Sequence, residues 1–256
     1  MIEFHEVTRK YSRKTAVDQL TLTVHPGQLF ALLGPNGAGK TTTIKMLVGL
    51  LRPDSGTVRV CGHDMVDQPQ RAIESIGYVP DQPFLYDKLS GREFLEFVAE
   101  MRGMDRAATA ANIARQSENF RLDEFLDDLA ETYSHGMKQR LIFASAFLHS
   151  PAVLVIDEPM VGLDPRTVRL VKDLLRERAA AGTTVFMSTH TLVVAEEIAD
   201  RIGIVTQGRL HFLGTVPELQ AKLSAHEASL EALFLELTEG DRRKPEPMPT
   251  PLPESS

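Results

Sequence analysis

Apolar and polar residues alternate at Ile2 and Phe4 and again at Leu20, Leu22 and Val24, after which His25-Pro26-Gly27 supplies a turn. This pattern predicts a small antiparallel sheet at the N-terminus. Leu29 to Leu33 is instead a continuous apolar run that ends in a glycine-rich turn, and Ile44, Leu47, Val48 and Leu51 then keep helical spacing up to Pro53. A second hairpin is expected to hold Val58 and Val60. From residue 87 to 149 the pattern is helical with no clear strand. Ser90 and Glu93 form a capping-box pair ahead of Phe94, Phe97, Val98 and Met101, which fall on one helical face, and another helix is expected over Leu141 to Leu148, ending before Pro151.

Two short apolar runs follow, Ala152 to Asp157 and Thr183 to His190, of the kind found in parallel strands covered on both faces. Between them a helix is predicted with Asp164 as N-cap, Pro165 at its first position, Val168, Val171, Leu174 and Leu175 inward, and Gly182 past its end. Leu230, Leu233, Phe234 and Leu237 have the spacing of a helix packed on the body. Beyond Gly240, proline occupies every second position from Pro245 to Pro253, which predicts an extended, disordered tail without a P-x-x-P docking pair. The fold class is therefore α/β: a doubly wound core (1–86 and 150–215) with a mostly parallel sheet, an N-terminal antiparallel β subdomain and an inserted helical subdomain (87–149). A C-terminal helical segment (216–239) and a proline-rich tail (240–256) follow.

Composition narrows the class of partner. With 256 residues and 43% hydrophobic content the chain can bury a substantial core. The net charge of −7 and pI of about 5.6 argue against nucleic acid as a partner, since a nucleic-acid protein presents a basic face. The single cysteine, Cys61, reads as a half-buried strand residue that has no internal disulfide partner, which suggests a reducing compartment. The first residues mix charges without an apolar leader segment, and no apolar run approaches the ~18 residues that span a bilayer. A cytoplasmic location, peripheral through a partner, is expected.

Three motifs carry chemistry. Gly34-Pro35-Asn36-Gly37-Ala38-Gly39-Lys40-Thr41 fits the phosphate-loop pattern G-x-x-x-x-G-K-[ST] between a strand and a helix start. Its glycines let backbone N–H groups turn inward as an anion nest at the positive end of the helix; Lys40 is a point charge for the β- and γ-phosphates, and the Thr41 hydroxyl suits Mg²⁺. Asp157 and Glu158 end a buried strand, where open α/β sheets bind ligands; Asp157 suits a Mg²⁺ partner, and Glu158 could polarise a water attacking the γ-phosphate. The third motif is Tyr133-Ser-His-Gly-Met-Lys-Gln-Arg140, where Ser134 and Gly136 before a helix make another anion site, although Ser134 could equally be the N-cap of that helix.

The order of these motifs resembles the ATP-binding cassette (ABC) ATPases, over about Ile2 to Thr238, and most resembles the bacterial type whose ATPase is separate from its membrane subunits, commonly exporters. Ser134 and Gly136 match the signature serine and second glycine of that family, whereas Tyr133, His135 and Met137 depart from it. The resemblance implies an ABC ATPase domain over 1–239 with a P-loop NTPase core. It also implies Tyr11 as the aromatic residue that stacks on adenine, Thr42 as a further phosphate contact, and Asp157 and Glu158 as the Walker B aspartate and catalytic glutamate. Val161 to Asp164 would be the D-loop and His190 the switch histidine. Alignment of Tyr78 to Pro83 puts Asp81, not Gln82, at the position of the Q-loop glutamine, so either residue could contact Mg²⁺. The implied function is binding and hydrolysis of ATP with Mg²⁺, with Glu158, His190 and Lys40 as the catalytic set. ATP-driven closure with a second copy or a homologous ATPase would power transmembrane permease subunits. A soluble regulatory ABC-type ATPase is the alternative. A nucleotide kinase on the same loop would leave Ser134 to Arg140 and His190 unexplained.

Overall fold

The computed structural model of the chain describes residues 1–12, 14–160 and 162–224. The predicted helix at Leu230 to Leu237 and the proline-rich tail lie outside the described residues. Two compact units are distinguished, Met1–Val216 and a second beginning at Pro217. The second is described only as far as Ser224, within a helix over Val216–Ser224.

The first unit contains two sheets. β1 (Ile2–Tyr11) and β2 (Lys14–Val24) form an antiparallel pair, which β4 (Ser55–Val60) and the two-residue β5 (His63–Asp64) extend in the order β2-β1-β4-β5. Cys61 is not in the strand. It follows β4 in a turn at φ 51°, half-buried against the core. The second sheet has the order β10-β9-β3-β8-β7-β6, built from β3 (Leu29–Leu33), β6 (Ile76–Val79), β7 (Val153–Asp157), β8 (Thr184–Thr189), β9 (Arg201–Thr206) and β10 (Arg209–Gly214). All its pairs are parallel except β9 with β10. Every residue of β3, β7 and β8 is buried, as their unbroken apolar runs require. The two sheets share one core: Phe186 of β8 meets Phe30 of β3 at 5.3 Å and Phe4 of β1 at 6.1 Å between ring centroids.

Helices fill the remainder. α1 (Lys40–Leu47) leaves the glycine-rich turn and ends sooner than the apolar spacing suggested, with Val48 as its C-cap. α2 (Pro69–Glu74) leads into β6. α3 (Gly91–Met101) carries the predicted capping box: the Ser90 hydroxyl accepts from the Glu93 N–H, and the Glu93 carboxylate accepts from the Ser90 N–H. Its buried residues are Gly91, Phe94, Leu95 and Ala99, whereas Phe97 and Met101 stay exposed. The apolar face read from the sequence is thus split between the core and the surface. α4 (Arg106–Phe120) and α5 (His135–Phe147) complete the helical insertion, α5 starting a turn and a half before the predicted Leu141. α6 (Pro165–Ala180) begins at its Asp164 cap, and its buried stripe is Thr167, Val171, Leu175 and Ala179. α7 (Leu192–Ile198) joins β8 to β9. No described helix is long and apolar enough to cross a membrane.

A candidate nucleotide site at the strand ends

The parallel register sets the site. Leu33 pairs with Thr189, Asp157 with Ser188 and Val79 with Ile156, so β3, β8, β7 and β6 end at one level. The residues that follow, the glycine-rich loop, His190, Glu158 and Asp81, are therefore delivered side by side at the carboxyl edge of the sheet. They line a cavity of about 460 Å³ whose walls are Tyr11, Lys14, Ala16, Pro35, Asn36, Gly37, Gly39, Lys40, Thr41, Thr42, Asp81, Glu158 and His190.

Gly39 holds φ 109° as the residue before α1, and a Cβ there would stand 2.3 Å from the Ala16 carbonyl oxygen. Only glycine fits so close to a strand backbone. The first N–H groups of α1, at Lys40, Thr41 and Thr42, have no preceding helical carbonyl to bond and so are available to an anion. Lys40 is almost enclosed. Its ammonium donates to the Gly34 carbonyl at 2.7 Å and the Pro35 carbonyl at 3.3 Å, and it lies 3.3 Å from Glu158 Oε1. The other carboxylate oxygen, Glu158 Oε2, is 2.9 Å from His190 Nδ1. Glu158 is held between two basic groups, on a backbone at φ 50°, a left-handed conformation that costs a non-glycine residue ~1–3 kcal/mol.

Asp157 lies deeper, 1% exposed. Burial pushes its carboxyl up from the ordinary range; hydrogen bonds from the Ser188 and Thr41 hydroxyls oppose this, and the charges of Asp81 and Glu158 add to it. Ser188 also accepts from the Glu158 N–H at 3.1 Å, so one hydroxyl braces both acidic residues. Sequence reading missed Ser188; its polar side chain inside the apolar run of β8 was the available signal. Tyr78 feels the same acidic surroundings, its phenol pushed up to about 12 by burial first and then by Asp157 and Asp81.

Asp81 lies on the cavity wall and Gln82 does not. Tyr11 is 45% exposed at the end of β1, with the Arg9 guanidinium 5.2 Å from its ring centre. Ser134 and Gly136 are not among the cavity-lining residues. Ser134 caps α5, its hydroxyl accepting from the Met137 N–H at 3.3 Å. The departure at Tyr133 has a structural reason. The buried phenol donates to the Phe125 carbonyl at 2.6 Å and accepts from the Gly91 N–H at 3.1 Å, tying the start of α3 to the segment before α5. The His135 ring lies against Gly162, whose added Cβ would approach it to 2.7 Å. Asp164 has the N-cap role, accepting from the N–H groups of Arg166 and Thr167.

A family model described as ABC transporter matches residues 17–161, more than half of the chain. The chain belongs to the ABC transporter family. It is 39% identical over 225 residues to the daunorubicin/doxorubicin resistance ATP-binding protein DrrA of Streptomyces peucetius, which covers 88% of this chain and 68% of that protein. It is 40% identical over 208 residues to the Nod factor export ATP-binding protein I of Paraburkholderia xenovorans (strain LB400), covering 81% of this chain and 68% of the relative. Among solved structures, an ATP-binding subunit of an ABC transporter superposes with a TM-score of 0.86 at 32% identity, over 93% of this chain and 99% of that one. This ABC protein is an ATP-binding subunit and an ATPase whose hydrolysis is coupled to transport.

Proposed function

We propose that this ABC subunit powers an exporter by closing on a second ATPase subunit with ATP between them. The observation that carries the reading is the placement of Glu158 between Lys40 and His190 at the mouth of the phosphate loop. ATP would lie with its base on Tyr11 and its phosphates over Gly34 to Thr42. An incoming γ-phosphate competes with Glu158 for Lys40, which frees the carboxylate to accept a proton from the attacking water while His190 positions it and the phosphate. Ser134 and Gly136 would meet the γ-phosphate bound on the partner subunit. Export is supported by the names of the relatives, one a resistance protein and one a Nod factor export protein.

Mg²⁺ fits the donor set. A deeply buried carboxyl whose burial disfavours its charge, with a threonine hydroxyl on it, is a site that a cation would stabilise. Among the described residues no group of three or more His, Cys, Asp or Glu could hold a metal by itself, so Thr41 and Asp157 would share it with the nucleotide, with Asp81 better placed than Gln82 to assist. When bound, Mg²⁺ would offset phosphate charge. The membrane subunits would dock beside this edge, where Phe84, Tyr86 and Phe97 form an exposed chain of edge-on aromatic contacts.

Glu158→Gln tests the chemistry. Turnover of ATP should fall about 10²–10⁴-fold, and ATP should retain the variant as a dimer in size-exclusion chromatography. Hydrolysis at the wild-type rate would remove Glu158 from the mechanism.

A further inference from the structure

Lys14 opens β2 directly across from Tyr11 in the β1–β2 pairing. It is exposed and makes no ion pair or side-chain hydrogen bond among the described residues. Its Nζ stands 3.8 Å from the point that a Cβ on Gly37 would occupy, so the ammonium hangs over the outer edge of the phosphate loop, on the wall of the same cavity. Nothing in the loop pattern calls for a lysine here, because Lys14 comes from another sheet.

The balance of charge at the site gives it a task. Lys40 is already committed to two carbonyls and to Glu158, and His190 faces the same carboxylate. Asp81 and Glu158 on the wall, with Asp157 beneath, repel an approaching polyphosphate. Lys14 is the cavity's lysine with no anion beside it. We propose that Lys14 is a second phosphate-binding lysine, which reaches the nucleotide's phosphate chain from the base-side rim and strengthens binding of di- and triphosphates alike. The assignment rests on the nucleotide reading above. A flexible ammonium acting as a point charge suits a rim position; a guanidinium of equal charge should replace it, and a neutral side chain should not.

The test is equilibrium binding of ADP and of adenosine to the full chain, wild type, Lys14→Met and Lys14→Arg, with circular dichroism to compare folding. Lys14→Met should weaken ADP about three- to fivefold, the upper end of the scale of one exposed charge pair. Lys14→Arg should restore affinity to within about twofold, and adenosine, which has no phosphate, should bind all three alike. Raising the salt from about 50 to 500 mM should shrink the Met defect, because an exposed pair is screened. Equal ADP affinity in wild type and Lys14→Met overturns the proposal, as does a Met defect that Arg does not repair or that adenosine shares. If wild type binds ADP and the Met variant matches it, only Lys14 loses its role; if wild type binds no adenine nucleotide, the reading of the whole site fails with it.

Discussion

The stability of this protein should depend on pH through one histidine far from the nucleotide site. His149 follows α5, and its Nε2 is 3.1 Å from the Ile76 carbonyl, while its buried Nδ1 has no partner among the described residues. Burial, and then the positive charge of Arg102, hold the ring well below its ordinary 6.5, at about 4, against a smaller opposing effect of the Ile76 carbonyl. Arg102 is fixed there by hydrogen bonds to the Ile73 and Ile76 carbonyls. The folded state therefore keeps His149 neutral where the unfolded chain takes up a proton. Stability from this source is complete above pH 6.5 and is lost as pH falls toward 4. The full shift corresponds to about 3 kcal/mol, which the ring's partial opening to solvent reduces to ~1–2 kcal/mol. Urea unfolding of wild type and His149→Gln at intervals from pH 4.5 to 7.5 isolates the effect, since every other titrating group is common to both. The wild-type advantage should shrink by ~1–2 kcal/mol between pH 7 and 4.5. Parallel stability curves across that range would mean that the folded histidine titrates normally, and the account of its burial would be wrong.

Two further outcomes follow from local geometry. Tyr133→Phe leaves the Gly91 N–H and the Phe125 carbonyl without their phenol partner in a buried setting, so unfolding in urea should show a loss of ~1–3 kcal/mol; an unchanged midpoint would show that water replaces the hydroxyl. Gly39→Ala must set a Cβ 2.3 Å from the Ala16 carbonyl oxygen at φ 109°, and should cost at least ~2 kcal/mol in thermal or urea unfolding as well as nucleotide binding.

The positions legible in the sequence were those fixed by one continuous stretch of chain. The unbroken apolar runs located β3, β7 and β8, and their polar termini located the loop, Asp157, Glu158 and His190 at the sheet edge. Features that depend on two distant stretches were not legible. Lys14 reaches Gly37 only because β1 and β2 fold the N-terminal sheet against the loop. Ser188 reaches Asp157 only through the register of β8 on β7. Phe97 shares an apolar spacing with Phe94, and spacing alone does not tell which side of α3 the core will cover. That Asp81 and not Gln82 lines the cavity likewise depends on how the chain leaves β6, which residue type does not tell.

The separation of the two motif groups is itself informative. The loop, Asp157, Glu158 and His190 converge because four parallel strands end together, whereas Ser134 opens a helix in the insertion and is exposed, its hydroxyl turned back to cap α5. In this position the serine does not line the cavity. Yet Tyr133, immediately before it, is buried and its phenol is hydrogen-bonded to the backbone of Gly91, Phe125 and Asp128, which fixes the approach to α5. An exposed serine on a rigidly held approach, away from the cavity of its own subunit, has no role there beyond capping α5. Under the function proposed above, that position would let Ser134 act on nucleotide held by another subunit. The ion pair of Lys40 with Glu158 fits the same proposal: without a phosphate in the loop the carboxylate rests on the lysine, and the γ-phosphate would take its place.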